Sequence, residues 1–154
     1  MSFMKSFTLP WIVIALTPRV VVQADVRFPP DAGVLDVTRH GAKPNDEVDD
    51  TRAIQALLDA HPSGNHVFYF PDGVYLLSDT LRPAQDGGVT KRNIFQGQSE
   101  AGTVLKLRDG VGLSDAVIDY RGGPAQFFRN AVRDLTIDIG RGNPAAKGVK
   151  SDAS

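Results

Sequence analysis

The chain has 154 residues, enough for one domain, and its formal net charge of −1 gives no electrostatic basis for binding nucleic acid. It contains no cysteine, which excludes disulfides, thiolate metal sites and a cysteine nucleophile. A hydrophobic share of 42% is sufficient for a core, and the 15 glycines and 10 prolines indicate frequent turns, as a strand-rich protein needs.

The first 24 residues have the pattern of a secretory signal peptide. Lys5 supplies the positive charge, an apolar segment follows at residues 7–16, and cleavage is predicted after Ala24. The apolar segment is shorter than the about 20 residues that span a bilayer, so we expect no stable membrane insertion. The pattern predicts a secreted or periplasmic protein with a mature part at residues 25–154. An uncleaved membrane anchor or a buried first strand are the alternatives.

A polar loop and one helix follow the first predicted strand, Val34–Val37. The loop ends in three residues whose side-chain oxygens suit the first N–H groups of a helix: Asp49, Asp50 and Thr51. Next comes an apolar stripe at helical spacing: Ile54, Leu57 and Leu58. Because Pro62 disfavours helical backbone at His61, we predict an amphipathic helix from about Asp50 to Ala60.

After residue 66 the sequence contains only short apolar runs separated by turns. The predicted strands are Val67–Phe70, Val74–Leu77, Asn93–Gln96, Val104–Leu107, Val117–Tyr120 and Val132–Ile139. Val67 and Ile94 are 27 residues apart, and both Ile94 to Val117 and Val104 to Phe127 span 23. Such intervals are typical of a solenoid, in which each coil packs on its neighbours, and a β-sandwich is the open alternative.

A solenoid exposes strand edges and core at both of its ends. The predicted helix lies directly before the first coil, where its apolar stripe would cover one end. The other end would have no cover, because residues 150–154 are mostly polar. We therefore expect an N-terminal piece of a longer protein.

Two ordered blocks of sequence resemble the N-terminal part of the pectate lyase superfamily, specifically its rhamnogalacturonase-like and epimerase-like members. The first block is Gly41-Ala42, Asp46, Asp49-Asp50-Thr51 and Ala53-Ile54-Gln55. The second is the aromatic strand Val67–Phe70, the turn Pro71-Asp72-Gly73 and the strand Val74–Leu77, after which Gly97 and Val104–Leu107 match a first full coil. The loop Lys43–Val48 departs from the Gly-Asp-Gly that is frequent there, which we expect to change only loop flexibility.

The resemblance implies an all-β fold: a right-handed single-stranded parallel β-helix with an N-terminal capping α-helix, of which this chain supplies the first coils. It implies that the intact protein acts on a polysaccharide of the pectin or uronate type as a hydrolase or lyase, with calcium as a possible cofactor of a lyase. Family members carry their catalytic residues on later coils. We therefore assign no catalytic, cofactor or metal residue here and expect the chain to be inactive alone. A non-catalytic glycan-binding, adhesin or tailspike-like module is the alternative.

Two groups of carboxylates suggest chemistry but have simpler explanations. Asp46, Asp49 and Asp50 would suit a hard cation such as calcium, yet helix capping and loop turns explain their position. Asp119 and Asp138 would suit the paired acid and base of a glycosidase, yet a solvated strand face explains both.

The candidate aromatic residues for stacking on sugar rings are Tyr69, Tyr75, Tyr120, Phe127 and Phe128. Most of them lie in apolar runs and are predicted to be core, which leaves Tyr120 as the best exposed candidate. His40 has no serine or cysteine partner pattern, and the glycine pairs at 110–112 and 140–142 lack the third glycine of a nucleotide-binding loop.

Overall fold

In the computed structural model, the described residues are 26–83, 92–120 and 129–151. The predicted signal peptide, Phe127 and Phe128 lie outside them. The described strands are β1 Val34–Asp36, β2 His66–Phe70, β3 Gly73–Leu77, β4 Asn93–Gly97, β5 Thr103–Leu107, β6 Ala116–Tyr120, β7 Ala131–Arg133, β8 Thr136–Asp138 and β9 Lys147–Ser151. A 3₁₀ helix spans Val37–His40, and α1 spans Thr51–Asp59. None of the helices in these ranges is long and apolar enough to cross a membrane.

Every pairing between the described strands is parallel, and the strands form three sheets. The first sheet has the order β1-β2-β4-β7, the second β3-β5-β8, and the third β6-β9. The chain passes from one sheet to the next and returns to the first, so β4, β5, β6 form one coil and β7, β8, β9 the next. This all-β arrangement is of the parallel β-helix type. It excludes the β-sandwich, whose strands pair antiparallel.

Residues in register stack into ladders inside the coils, because alternate side chains of each strand point inward. Phe68 pairs with Phe95 of the next coil, and their ring centroids are 5.8 Å apart. Phe70 stacks on the same Phe95 at 5.7 Å, and Tyr75 meets Phe70 edge-on at 5.4 Å. Leu105 and Ile118 close the interior from the second and third sheets. Each coil therefore buries its apolar face against its neighbours.

Helix α1 forms where the sequence predicts it, and Ile54, Leu57 and Leu58 are at most 4% exposed within the core. The predicted capping is correct for Asp49, whose Oδ1 accepts a hydrogen bond of 2.9 Å from Thr51 N. It is wrong for Asp50, whose side chain makes no cap and accepts instead from Lys43 N at 2.7 Å.

The loop before α1 runs along the free edge of β3. Asn45 N donates to Val74 O at 2.9 Å, and Val74 N donates to Asn45 Oδ1 at 2.9 Å. Further along, Asp50 N donates to Leu76 O at 2.8 Å. The loop therefore supplies hydrogen-bond partners that a bare strand edge would lack.

The second half of the chain corrects three expectations. The predicted strand Val132–Ile139 is two strands, β7 and β8, which belong to different sheets because the backbone turns at Asp134, with φ of 49°. Strand β9 was not predicted, because its sequence Lys-Gly-Val-Lys-Ser is a weak strand pattern.

The coil interval is also longer and less regular than expected. The 27-residue interval is correct, since Val67 pairs with Ile94. The interval of 23 from Ile94 is wrong, because Ile94 pairs with Ala131 and Val117 lies in the third sheet.

Candidate functional site

Four charged side chains lie together on the third sheet, and we call this group the charged face: Arg82, Asp115, Asp119 and Lys150. The backbone brings Arg82 there. Leu81 forms an isolated parallel bridge with Ile118, and Asp119 N donates to Leu81 O at 3.0 Å. Residue 81 thus extends the third sheet by one strand position, and Arg82 follows directly beside Asp119.

Arg82 connects the carboxylates of this face. Its guanidinium lies 3.7 Å from Asp115 and 3.9 Å from Asp119, and Lys150 Nζ lies 4.0 Å from Asp115. The Asp119 side chain is 0% exposed, whereas that of Arg82 is 41% exposed. A buried carboxylate is costly without a paired charge, so Arg82 stabilises Asp119 while leaving part of its own surface open to solvent.

Gln55 of α1 holds Arg82 in place. Its side-chain Nε2 donates to Arg82 O at 2.8 Å, and its Oε1 accepts from Arg82 N at 2.8 Å. The amide therefore reproduces the two hydrogen bonds that a neighbouring strand would provide. Helix α1 and the charged face form one connected unit through this contact.

A cleft of about 700 Å³ lies between α1 and residues 78–82. Asp49, Arg52 and Gln55 line its helix side, and Thr80 and Arg82 line the other side, so the cleft adjoins the charged face. Burial by itself would raise the pKa of Asp49. Hydrogen bonds from Ser78 and Thr51 outweigh it, and the pKa lies below its usual range. Asp49 is therefore ionised at neutral pH.

Asp119 and Asp138, which the sequence suggested as a candidate acid and base pair but which a solvated strand face explained more simply, do not come together. Asp119 lies on β6 in the third sheet, and Asp138 lies on β8 in the second sheet. Asp138 is exposed and its Oδ1 accepts from Gly140 N at 2.9 Å, in agreement with a solvated strand face. For Asp119 that explanation is wrong, because the side chain is buried.

The aromatic candidates within the described ranges are core residues. Tyr69 and Tyr75 are at most 5% exposed, and the Tyr75 hydroxyl donates to Pro71 O at 2.9 Å. Tyr120, the best candidate for an exposed aromatic, is 2% exposed, and its hydroxyl lies 3.0 Å from Ala131 O and 3.2 Å from Asn93 O. Burial raises the pKa of this hydroxyl well above its usual range, so Tyr120 is a neutral structural residue.

The acidic loop shows no calcium geometry. Asp46 Oδ1 accepts from Val48 N at 3.0 Å, and Asp49 and Asp50 bind backbone N–H groups as described above. Among the residues that the structure describes, no group of three or more histidine, cysteine, aspartate or glutamate side chains is placed to hold a metal ion. His40 lies exposed at the end of the 3₁₀ helix.

Residues 34–154 match the model of a protein family described as rhamnogalacturonase A/epimerase, pectate lyase-like. The chain belongs to this family. The match confirms the resemblance drawn from the Asp-Asp-Thr and Pro-Asp-Gly blocks, and the parallel sheets described above agree with it.

Several proteins of Azotobacter vinelandii are similar to this pectate lyase-like chain. Alginate lyase 7 is 33% identical over 105 residues, which cover 67% of this chain and 12% of the relative. Mannuronan C5-epimerase AlgE3 is 36% identical over 118 residues, covering 73% of this chain and 6% of the relative. Mannuronan C5-epimerase AlgE1 is 38% identical over 104 residues, covering 64% of this chain and 7% of the relative. The chain thus spans only 6–12% of the length of these relatives.

One solved structure supports the fold. The ORF18 protein of Geobacillus virus E2 superposes with a TM-score of 0.56 at 20% identity, over 75% of this chain and 22% of that chain. At this identity the similarity shows the fold alone.

The sequence of this pectate lyase-like chain did not indicate that Arg82 and Lys150 belong to the candidate site, or that Gln55 holds Arg82 in place. Arg82 and Asp119 are distant in sequence, and a parallel pairing leaves no local sign of the bridge between Leu81 and Ile118. The Gln at the end of Ala53-Ile54-Gln55 was part of the family block, but its partner was not predictable from spacing.

Proposed function

We propose that this chain is the N-terminal scaffold portion of a secreted enzyme that acts on a uronate-containing polysaccharide. Membership of the pectate lyase-like family carries the proposal. The similarity to proteins named alginate lyase and mannuronan C5-epimerase supports a polymer of the alginate type over pectin. The coils would supply a rigid surface on which such a polymer lies.

We also propose that α1 closes the N-terminal end of a right-handed coil. Three buried apolar residues of α1 pack into the same core as the strands, and the loop before it hydrogen-bonds to the free edge of β3. Both features are what the exposed end of a solenoid requires.

Arg82 and Lys150 are the residues of this scaffold that we expect to contact the polymer. Both are cations that stay partly exposed, and the carboxylates of a uronate are their complement. Asp115 and Asp119 already pair with Arg82, so they are poorly placed to act as free acid and base. We therefore place the catalytic residues, and any calcium of a lyase, outside this chain.

The pairing of Asp115 and Asp119 with Arg82 also favours a second candidate function. A β-helix whose charges bind glycans without cleaving them, as a binding or adhesin-like module, needs partly exposed cations and no catalytic pair. The enzyme and the binding module predict the same result for this chain, which is binding of the polymer. They differ in whether the whole protein converts the polymer to product.

Purified residues 25–154 would be mixed with mannuronan, alginate, polygalacturonate and neutral mannan, with and without calcium. Elimination is followed by the ultraviolet absorbance of the unsaturated product, epimerisation by proton NMR, and binding by affinity electrophoresis. We expect retention by the uronate polymers and no turnover, with retention weakened by the double variant Arg82→Gln and Lys150→Gln. Turnover would refute the inactive scaffold, and equal migration with uronate and neutral polymers would refute uronate binding.

Secretion is a separate proposal that rests on the residues 1–24 pattern. Expression with and without these residues, followed by fractionation of the cells, tests it. We expect the full chain to be exported and to lose the mass of residues 1–24 by cleavage after Ala24. An unprocessed product in the cytoplasmic fraction would contradict this proposal.

A further inference from the structure

A second cleft lies on the second sheet and is distinct from the charged face on the third sheet. Its volume is about 530 Å³, and we call it the second-sheet cleft. The lining residues are Asn45, Glu47, Val74, Leu76, Lys106 and Arg108. Its residues come from the loop before α1, from β3, and from β5 and the residue that follows it, so the cleft is built from two coils and the loop that borders them.

This cleft is lined by two cations that form no salt bridge with any residue the structure describes. Lys106 and Arg108 are separated by buried Leu107, so both side chains leave the outer side of the sheet, about 7 Å apart along the strand. Within the described part of the chain, no carboxylate oxygen lies within 4.0 Å of either side chain's nitrogens. On the charged face, by contrast, Arg82 contacts several carboxylates. Arg108 interacts with Asp49 only at longer range, and Glu47 also lines the cleft, so the two cations give the cleft one net positive charge that is available to a ligand.

Two half-buried apolar side chains stand beside these cations. Val74 and Leu76 alternate on the outer side of β3, and Leu76 is in register with Lys106. An apolar surface next to cations suits a ligand that has an aliphatic ring face and an anionic group. A free inorganic anion would use only the cations.

The third part of the cleft is Glu47, which is held in an unfavourable backbone conformation. Its φ is 59°, in the left-handed region that disfavours side chains with a Cβ atom. Asn45 has a similar φ of 67°, but its side chain is bonded to Val74 N. Among the described residues the Glu47 carboxylate has no such hydrogen bond. Backbone strain of this kind is concentrated at functional sites, because a ligand contact can offset it.

We propose that the second-sheet cleft binds an acidic sugar residue of the polymer. Lys106 and Arg108 bind the sugar carboxylate, Glu47 accepts hydrogen bonds from ring hydroxyls, and Val74 and Leu76 contact the C–H face of the ring. The inference rests on the proposed function for the choice of a uronate polymer. It adds a second contact surface for the polymer, on a different sheet from the charged face.

Titration of isotope-labelled residues 25–154 with mannuronate oligosaccharides, followed by amide NMR shifts, tests the cleft. We expect saturable shifts at residues 45–47, 74–76 and 106–108, and none with neutral mannose oligosaccharides. Each of Lys106→Gln and Arg108→Gln should weaken binding by about tenfold, the loss typical of one charge-assisted hydrogen bond. Arg133→Gln removes an exposed cation on β7 of the first sheet and should leave the affinity unchanged.

Glu47 provides a test that separates binding from folding. Glu47→Gly should raise the urea midpoint because glycine adopts a positive φ freely, and it should weaken mannuronate binding because the acceptor is lost. A glycine variant that binds as tightly as the original protein would overturn the role of Glu47.

The outcomes separate this inference from the proposed function. Shifts confined to Arg82, Lys150 and their neighbours would refute the cleft and leave the proposed function standing. Equal weakening by Arg133→Gln would show nonspecific charge attraction and would also overturn the cleft. The absence of shifts at every residue would overturn the cleft as well, and binding of the long polymers in the electrophoresis experiment would then decide the proposed function.

Discussion

Replacing Gly97 by alanine tests how closely consecutive coils approach. Gly97 is the last residue of β4, and an added Cβ would lie 2.0 Å from Asp134 O and 2.8 Å from Leu135 Cβ, both in the next coil. Real Cβ atoms essentially never come nearer than 3.0 Å to another heavy atom. The next coil would have to move by about 1 Å, and overpacking of this kind destabilises proteins by about 1–3 kcal/mol. Because the nearest atom is backbone, we expect a loss of about 3 kcal/mol in the free energy of unfolding.

Gly148→Ala is the matched control. Gly148 also lies in a strand, β9, and its nearest neighbour to an added Cβ is Ile137 Cγ2 at 3.9 Å, an ordinary contact. Since alanine restricts the unfolded chain, this variant should gain about 0.5 kcal/mol. Urea unfolding of both variants followed by circular dichroism measures the difference. Equal midpoints for the two variants would refute the close approach of the coils at Gly97.

The remaining predictions concern the helix, its N-terminus and a buried amide. Leu58→Ala should lower the free energy of unfolding by about 3 kcal/mol because the side chain is 0% exposed. An unchanged urea midpoint would contradict the packing of α1 in the core. Asp49→Asn should destabilise by about 0.5–1 kcal/mol at pH 7. Burial alone would raise the pKa of Asp49, but hydrogen bonds led by that of Ser78 lower it below its unfolded value. The carboxylate therefore stabilises the fold at neutral pH and loses this effect as pH falls, so the difference should shrink below about pH 4 and a pH-independent difference would contradict the assignment. Asn143→Ala should cost about 2 kcal/mol, because the amide is 3% exposed and accepts from Gly112 N at 3.0 Å. Hydrogen exchange at Gly112 should become faster, and unchanged exchange would argue against this contact.

The sequence predicts the local elements well where a single periodicity governs them. The stripe of Ile54, Leu57 and Leu58 locates α1, and β2 to β6 each correspond to a predicted apolar run. Helix α1 and strands β2 to β5 have strong patterns because each has one face in the core. The break at Asp134 escaped prediction, since a positive φ at an aspartate leaves the apolar alternation on either side intact.

In the loop between Lys43 and Val48, the structure explains the consequence of a difference from the family sequence pattern. The sequence there replaces a frequent Gly-Asp-Gly by other residues, and we expected an effect on flexibility alone. In the structure Asn45 and Glu47 both have positive φ, the conformation in which glycine is favoured. Asparagine tolerates this region better than glutamate does, and its side chain also bonds to β3.

The candidate site was hidden from the sequence because it depends on contacts between coils. Arg82 reaches Asp119 only because residues 81 and 118 pair in parallel, and the length of the coil between them follows no fixed period. Tyr120 was the best candidate for an exposed aromatic, yet both faces of β6 are buried. Burial on both sides depends on the packing around the third sheet, which the sequence of one strand does not encode.

The most direct test of the stacked coils is a set of side-chain contacts measured by NMR. The register places Phe68 opposite Phe95, and Phe95 opposite Val132, on three successive coils. We predict nuclear Overhauser contacts along this ladder from Phe68 to Phe95 and from Phe95 to Val132. Short contacts between the α-protons of β2 and β3 are the signature of an antiparallel hairpin, and their presence would contradict the parallel coils.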